Sequence, residues 1–224
     1  ERLERHRRHA FARVARVVEA GPDRVEPRCA HYDRDRCGGC QWQHLALDAQ
    51  HRAKARIVGD ALRRIGKLEV DDPEVVPSPS EFGYRGTVTL AVAGSGGRRV
   101  VGLRREGDAE VFALERCEIA REPLNTLWAA LRGATAALPE GGEVRLVLRV
   151  GTGGDLHVLV SGGEGAWQGA PGLAAAASAS GIAATIWWKP ESGAARRMAG
   201  PSGTVIVTGS LFLVGEAKKT GLSA

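Results

Sequence analysis

Residues 28–44 read R-C-A-H-Y-D-R-D-R-C-G-G-C-Q-W-Q-H and hold three of the four cysteines in this 224-residue chain. Cys29, Cys37 and Cys40 follow a C-x7-C-x2-C spacing, and Cys117 stands far from them along the sequence. The stretch shows no helical or strand periodicity. A loop without an apolar pattern needs another organiser, and a bound metal supplies one because its ligands fix the loop in one conformation.

The four cysteines are the candidate metal ligands. Thiolates are soft ligands that suit an iron–sulfur cluster or Zn²⁺. Structural zinc sites usually pair two C-x2-C knuckles, whereas here three ligands cluster and one is remote, which fits a 4Fe–4S cubane better. Zinc remains the first alternative, and a disulfide is a second one that the missing export signal disfavours. The pattern favours a 4Fe–4S cluster on Cys29, Cys37, Cys40 and Cys117.

Gly38 and Gly39 separate the cysteines of the C-x2-C pair. We expect them to relieve side-chain crowding and to let backbone N–H groups turn toward sulfur, because such contacts stabilise a site with several thiolates.

The clearest helix is predicted over residues 47–65, with Asp48 as N-cap and Gly66 as C′ residue. Its apolar residues share one face at helical spacing and are expected to be buried. They are Ala53, Ile57, Val58, Ala61, Leu62 and Ile65. On the opposite face Arg52, Arg56 and Arg63 form a basic stripe.

The remaining pattern predicts mostly strands. Residues 11–18 alternate as the end of a small β unit. Beyond the prolines at 73, 77 and 79, strands are predicted at 84–92, 100–103, 111–114, 144–150, 156–160, 182–188, 204–207 and 211–214, and helices at 123–138 and 173–179. Residues 144–160 form a hairpin around a Gly-rich turn. The fold class is therefore α+β, with an antiparallel-rich second domain.

Charge is spread unevenly along the chain. Residues 1–67 hold 16 Lys or Arg and 9 Asp or Glu, a net charge of +7, whereas residues 68–224 hold 15 and 17, a net charge of −2. A basic block joined to a nearly neutral one indicates a polyanion contact at the N-terminal end, and a solvated arginine-rich surface is the alternative. The phosphate-contact candidates are Arg5, Arg7, Arg8, Arg13, Arg52 and Arg56.

No stretch approaches the roughly 20 uninterrupted apolar residues of a membrane helix, and the charged start lacks a signal-peptide pattern. The composition, 43% hydrophobic and 25% charged, is ordinary for a globular protein. We expect a cytoplasmic monomer without a membrane partner. Because the first residue is not Met, we also expect the chain to be part of a longer gene product.

Two segments carry a resemblance to a known family. Residues 24–56, R-V-E-P-R-C-A-H-Y-D-R-D-R-C-G-G-C-Q-W-Q-H-L-A-L-D-A-Q-H-R-A-K-A-R, closely resemble the iron–sulfur segment of the RNA uridine-5 methyltransferases, which form 5-methyluridine in 23S ribosomal RNA and transfer RNA. Residues 102–120, G-L-R-R-E-G-D-A-E-V-F-A-L-E-R-C-E-I-A, resemble the strand pair that brings in the fourth cluster cysteine. Residues 1–20 are similar to the end of the family's TRAM domain, a small RNA-binding β-barrel.

The resemblance implies transfer of a methyl group from S-adenosylmethionine to C5 of a uridine in ribosomal or transfer RNA. In the family a cysteine thiolate attacks C6, because C5 of uracil is a poor nucleophile until that addition. No cysteine follows Cys117, and the Gly-rich segments lie in turns between strands instead of opening a helix. We therefore assign no catalytic and no cofactor-binding residue to this chain.

The implied organisation has three parts. Residues 1–24 would end a TRAM-like unit, 25–67 would form the iron–sulfur loop and basic helix, and 68–224 a central α+β domain truncated before the catalytic methyltransferase domain. A stand-alone iron–sulfur RNA-binding module without catalytic activity is the alternative. An electron-transfer ferredoxin is disfavoured, because such proteins are usually acidic with compact cysteine repeats.

Overall fold

The computed structural model describes residues 4–5, 10–11 and 14–201, and the predicted strands at 204–207 and 211–214 lie outside them. The chain divides into two compact units. Unit 1 comprises Glu1–Arg28 with Cys40–Pro77, and unit 2 comprises Cys29–Gly39 with Ser78–Ala224. No helix in the described part is long and apolar enough to cross a membrane.

The described residues form short strands near the start of the chain and a longer series of strands and helices after it. In chain order they are β1 (Glu4–Arg5), β2 (Ala10–Phe11), α1 (His31–Arg34), α2 (Leu47–Arg64), β3 (Thr87–Ala93), β4 (Val100–Arg104), β5 (Val111–Ala113), α3 (Glu122–Leu131), β6 (Arg145–Val150), β7 (Leu156–Ser161), α4 (Ala170–Ala179), β8 (Ala184–Lys189) and β9 (Arg196–Ala199). Two 3₁₀ segments, Gly96–Arg98 and Arg132–Ala137, lie between them.

Helix α2 confirms the helix predicted in unit 1, but its N-cap is shifted. The N-cap residue is Ala46, and Asp48 lies inside the first turn, where its charge still suits the helix dipole. At the other end Lys67 has the left-handed φ of 55°, and the N–H of Leu68 donates to the Leu62 carbonyl. Gly66 follows the C-cap Ile65 as predicted, and the left-handed residue lies one position further along the chain.

The predicted burial of the apolar face of α2 is wrong. Ile57 is 57% exposed, Val58 48% and Ile65 83%, whereas the buried residues of the helix are Ala49 and Gly59. The helix therefore presents an apolar surface to solvent over its second half.

The segment that follows α2 explains this outcome, because it returns along the other side of the helix. Arg63 donates to the Val70 carbonyl at 3.0 Å and pairs with the Asp72 carboxylate at 2.7 Å. A Cβ on Gly59 would collide with the same carboxylate, so the return path depends on a glycine there. The returning segment therefore contacts the side of α2 that carries Arg63, and the apolar side stays exposed.

The strand expected over residues 11–18 is also wrong for the described residues. Phe11 ends the short strand β2, which pairs antiparallel with β1, and residues 14–18 form no strand. Val14 and Val18 are 83% and 84% exposed, so alternation alone produced no pairing here. The TRAM-like nature of this region stays a prediction.

Unit 2 is built on a seven-stranded open sheet in the order β5-β4-β3-β6-β7-β8-β9. All neighbours are antiparallel except β7 and β8, whose parallel pairing follows from the crossover through α4. The predicted hairpin is β6–β7, with Leu146 opposite Val160 and Leu148 opposite Val158. This confirms the α+β class and the antiparallel-rich second domain.

One face of the sheet packs against α3 and α4. The core joins alternate strand residues to the apolar sides of both helices, and its most buried side chains include Leu90, Leu124, Leu127, Leu148, Val158, Ile186 and Trp188. Helix α3 ends at Leu131, and a 3₁₀ segment replaces the second half of the helix predicted over 123–138.

Candidate metal centre

The cysteine loop of unit 2 is attached to the ends of β4 and β5. Residue Cys37 forms an antiparallel bridge with Arg105, and the N–H of Gly38 donates to the Arg104 carbonyl at 3.4 Å. The N–H of Glu106 donates to the Arg36 carbonyl at 2.7 Å. Residues 36–38 therefore extend the sheet edge beyond β4, which fixes the backbone of Cys37.

The glycines of the C-x2-C pair act differently from the expectation. The Gly38 N–H points to a carbonyl, not toward sulfur, and the left-handed residue of the loop is Arg36, with φ of 52°. A Cβ on Gly39 would lie 3.5 Å from Cys37 Sγ, an ordinary van der Waals distance. Of the predicted role of the two glycines, only the closeness of Gly39 to Cys37 Sγ is seen.

His31 links the cysteine loop to the segment before Cys117. It lies in α1, is 3% exposed, and its Nε2 accepts the N–H of Glu115 at 3.0 Å. Its carbonyl accepts the Cys37 N–H at 3.1 Å, and its ring packs on Phe112 with centroids 5.1 Å apart. His31 thus contacts both chain segments that carry cysteines in this unit, the loop through its backbone carbonyl and the segment before Cys117 through its ring.

The hydrogen bond from Glu115 determines the His31 tautomer. Because Nε2 accepts, the ring proton of neutral His31 lies on Nδ1, which donates to the Asp35 carboxylate at 2.7 Å. Arg34 also donates to Asp35, at 2.9 Å, and pairs with Glu115 at 2.9 Å. Burial raises the pKa of Asp35, but the hydrogen bonds from His31 and Arg34 outweigh burial, so this pKa lies below its ordinary value.

Helix α3 holds the backbone around Cys117. The Asn125 side chain accepts the Cys117 N–H at 3.0 Å and donates to the Cys117 carbonyl at 3.1 Å. The Trp128 indole donates to the Leu114 carbonyl at 2.8 Å, just after β5. These contacts satisfy polar groups of the segment between β5 and the backbone bridge that joins Ala120 to Arg85.

The four cysteines are all half-buried, and none forms a disulfide. Cys29, Cys37 and Cys117 belong to unit 2, where Cys37 and Cys117 pack against the core, while Cys40 is grouped with unit 1. The donor chemistry suits a thiolate-ligated centre. Within the described residues, however, no three His, Cys, Asp or Glu side chains converge closely enough to hold a metal ion. The 4Fe–4S cluster stays a prediction.

The structure describes the side chains of only two of the six residues predicted to contact phosphate. Arg7, Arg8 and Arg13 lie outside the described residues, as does the side chain of Arg5. Arg52 and Arg56 are exposed on α2. Arg52 binds both carboxylate oxygens of Asp23, at 3.0 and 3.1 Å, so it also joins the helix to the segment before the cysteine loop.

Sequence reasoning missed the two residues that best organise this site. His31 showed no metal-ligand spacing, and only its burial reveals its part in the loop. Asn125 could have been noticed, because it is the polar residue between Leu124 and Leu127 on the buried side of α3. A buried amide in an apolar helix face signals backbone groups that need partners.

No family model matches the chain. It is 37% identical over 170 residues to an uncharacterized RNA methyltransferase of Thermosynechococcus vestitus, a match covering 70% of this chain and 37% of that protein. The 23S rRNA (uracil(1939)-C(5))-methyltransferase RlmD of Pseudomonas entomophila is 35% identical over 118 residues, covering 52% of the chain and 26% of that protein. The protein of the same name in Photorhabdus laumondii is 33% identical over 150 residues, covering 65% and 34%.

These relatives confirm the resemblance carried by the cysteine segment: the chain is related to proteins named as RNA methyltransferases, including uracil-C5 methyltransferases of 23S rRNA. The matched part of the chain spans between 26% and 37% of the length of these three relatives.

Proposed function

We propose that this chain is the iron–sulfur and RNA-binding part of an S-adenosylmethionine-dependent RNA uridine-C5 methyltransferase acting on ribosomal or transfer RNA. The similarity to relatives named for that reaction is the observation that carries the proposal. The basic N-terminal block and the reinforced cysteine loop support it, because an RNA enzyme needs phosphate contacts and a fixed binding surface.

In this proposal the thiolates of Cys29, Cys37, Cys40 and Cys117 hold a 4Fe–4S cluster. The cluster would supply structural cross-linking, since addition of a thiolate to C6 and methylation at C5 involve no electron transfer. The residues of this chain then act by position: His31 and Asn125 fix the backbone near Cys37 and Cys117. Cys40 is assigned by the sequence spacing alone.

Metal analysis tests the cluster. The chain purified without oxygen should be brown, with iron and acid-labile sulfide in equal amounts and a broad visible absorbance. Serine variants of each of the four cysteines should each lower the iron content, because every thiolate is assigned as a ligand. Colourless protein with one equivalent of zinc after anaerobic reconstitution would contradict the cluster and favour a zinc site.

Salt-dependent binding tests the basic block. We expect the chain to bind structured RNA with an affinity that falls as salt rises, and the combined neutralisation of Arg5, Arg7 and Arg8 should make this dependence shallower. Neutralising Arg98, Arg121 and Arg132, which are exposed in unit 2, provides the control with the same loss of charge. Equal affinity and equal slope in both triple variants would contradict the proposed contact.

A methylation assay tests the assignment of no catalytic residue. The chain incubated with unmodified ribosomal and transfer RNA and labelled S-adenosylmethionine should produce no labelled uridine. Label that disappears in a Cys117→Ser variant with an intact cluster would make Cys117 the nucleophile. Methylation by a longer product of the same gene, but not by this chain, would support the methyltransferase over a stand-alone RNA-binding module.

A further inference from the structure

The seven strands of the unit 2 sheet contain no acidic residue. Strands β3–β9 hold six Lys or Arg and neither Asp nor Glu. Alternation and pairing register place five of these cations on the face opposite α3 and α4. They are Arg104, Arg145, Arg149, Lys189 and Arg197. The sixth, Arg196, stacks on Trp188 on the other face.

An uncharged row crosses the same open face between the cations. Thr89, Val147, Leu159 and Trp187 are aligned on four neighbouring strands. Trp187 is half-buried, and its indole N–H donates to His157 at 3.4 Å, which keeps the ring oriented on this face. The row therefore provides one aromatic ring and two aliphatic side chains with positive charge on either side.

A groove of about 290 Å³ continues this face toward β4. Its walls include Thr89, Ala91, Arg104 and Arg145, and the Glu143 carboxylate pairs with both arginines, at 3.4 and 3.0 Å. All three ionic side chains are about half exposed. Exposed ion pairs are weak, so an incoming phosphate can replace the Glu143 carboxylate.

We propose that this open sheet face binds a single-stranded segment of RNA, an inference that rests on the proposed function and locates part of its substrate site. Single-stranded RNA presents unstacked bases that pack on aromatic and apolar side chains, and phosphates that bind Arg and Lys. Trp187 is assigned as the stacking position, and Arg145, Arg149 and Lys189 as phosphate contacts. A protein surface is the other occupant to consider, but five cations on a face whose strands contain no acidic residue complement a polyanion.

Binding of a fluorescein-labelled oligouridylate to the purified chain, followed by anisotropy at several salt concentrations, tests the inference. Replacing Arg145, Arg149 and Lys189 together by Gln should make the plot of log affinity against log salt concentration shallower by about 2. Each phosphate contact on a single strand contributes about 0.7 to this slope, and three contacts are removed. The control with the same charge change replaces the exposed Arg98, Arg121 and Arg132 by Gln, none of which lies on this face. Trp187→Leu, which keeps an apolar side chain, should weaken binding roughly tenfold.

Circular dichroism and thermal unfolding establish that each variant is folded before its affinity is compared. Loss of affinity confined to the sheet-face variants, and larger for the single strand than for an RNA duplex, supports the inference. Equal slopes for the sheet-face and control variants overturn it and leave the face to a protein occupant, while RNA binding by the chain still stands. An unaltered chain that binds no RNA overturns the inference and the RNA-binding proposal together.

Discussion

Replacing His31 by Ala tests whether this side chain organises the cysteine loop. The substitution leaves the part-buried Glu115 N–H without its acceptor, which costs about 1–3 kcal/mol when no water replaces that acceptor. It also removes the ring from Phe112, a contact worth about 0.5–1.5 kcal/mol beyond its buried area. Asp35 keeps its bond to Arg34, so we add no cost there. The free energy of unfolding of unit 2 should fall by about 1.5–4.5 kcal/mol.

Urea unfolding followed by tryptophan fluorescence measures this change, because four of the five tryptophans lie in unit 2. His31→Gln should recover about half of the loss, since its side-chain oxygen can accept the Glu115 N–H where Nε2 did. His51→Ala on α2 provides a histidine control, which should change stability by less than about 0.5 kcal/mol.

Hydrogen exchange at the Glu115 amide separates a local effect from a general one. In His31→Ala this amide should lose more protection than the core strands, because its own acceptor is gone. Unchanged stability together with unchanged exchange at Glu115 would show that His31 does not join the two segments, and the reasoning would fail.

Two further substitutions test the surroundings of the site. Asn125→Ala should lower the free energy of unfolding by about 1–3 kcal/mol because the Cys117 N–H loses its acceptor. Thr126→Ala, at an exposed position on the same helix, is the control and should lower it by less than about 0.5 kcal/mol. Equal values for the two variants would contradict the assigned contact. Gly102→Ala should cost about 1–3 kcal/mol because its Cβ would collide with the Phe112 carbonyl, forcing β4 from β5. Gly97→Ala, with no atom near its Cβ, is the control, and urea unfolding measures all four variants.

Strands β3 to β8 of the unit 2 sheet were predictable from the sequence because their signals are local, whereas the edge strand β9 was not predicted. The β6–β7 hairpin combines alternating apolar residues with a Gly-rich turn, so pattern and turn chemistry agree. Helix α2 was likewise predictable in extent. Its burial was not, because the pattern shows which residues share a face and not what covers that face. The Arg63–Asp72 ion pair, which fixes the returning segment, has no periodic signature.

The candidate site shows the same limit at the level of single residues. The cysteines were identifiable because their spacing reflects ligand chemistry. The residues that position them were not, because the Glu115–His31 hydrogen bond joins positions 84 residues apart in the sequence. Asn125 differs from His31 because the sequence gives a signal for it. A single amide among buried leucines indicates that backbone N–H or C=O groups nearby need a partner, even when those groups are unknown.

The sequence predicts that a metal organises the cysteine loop, and the structure adds contacts within the protein that hold the same loop. Residues 36–38 already extend the sheet edge, and His31 already ties the loop to the segment before Cys117. In unit 2 these contacts therefore meet part of the entropic cost of ordering the backbone near Cys37 and Cys117. Contacts within the protein and a cluster bound by these thiolates would thus act on the same stretch of backbone, and the metal analysis of the four serine variants tests the part of the cluster.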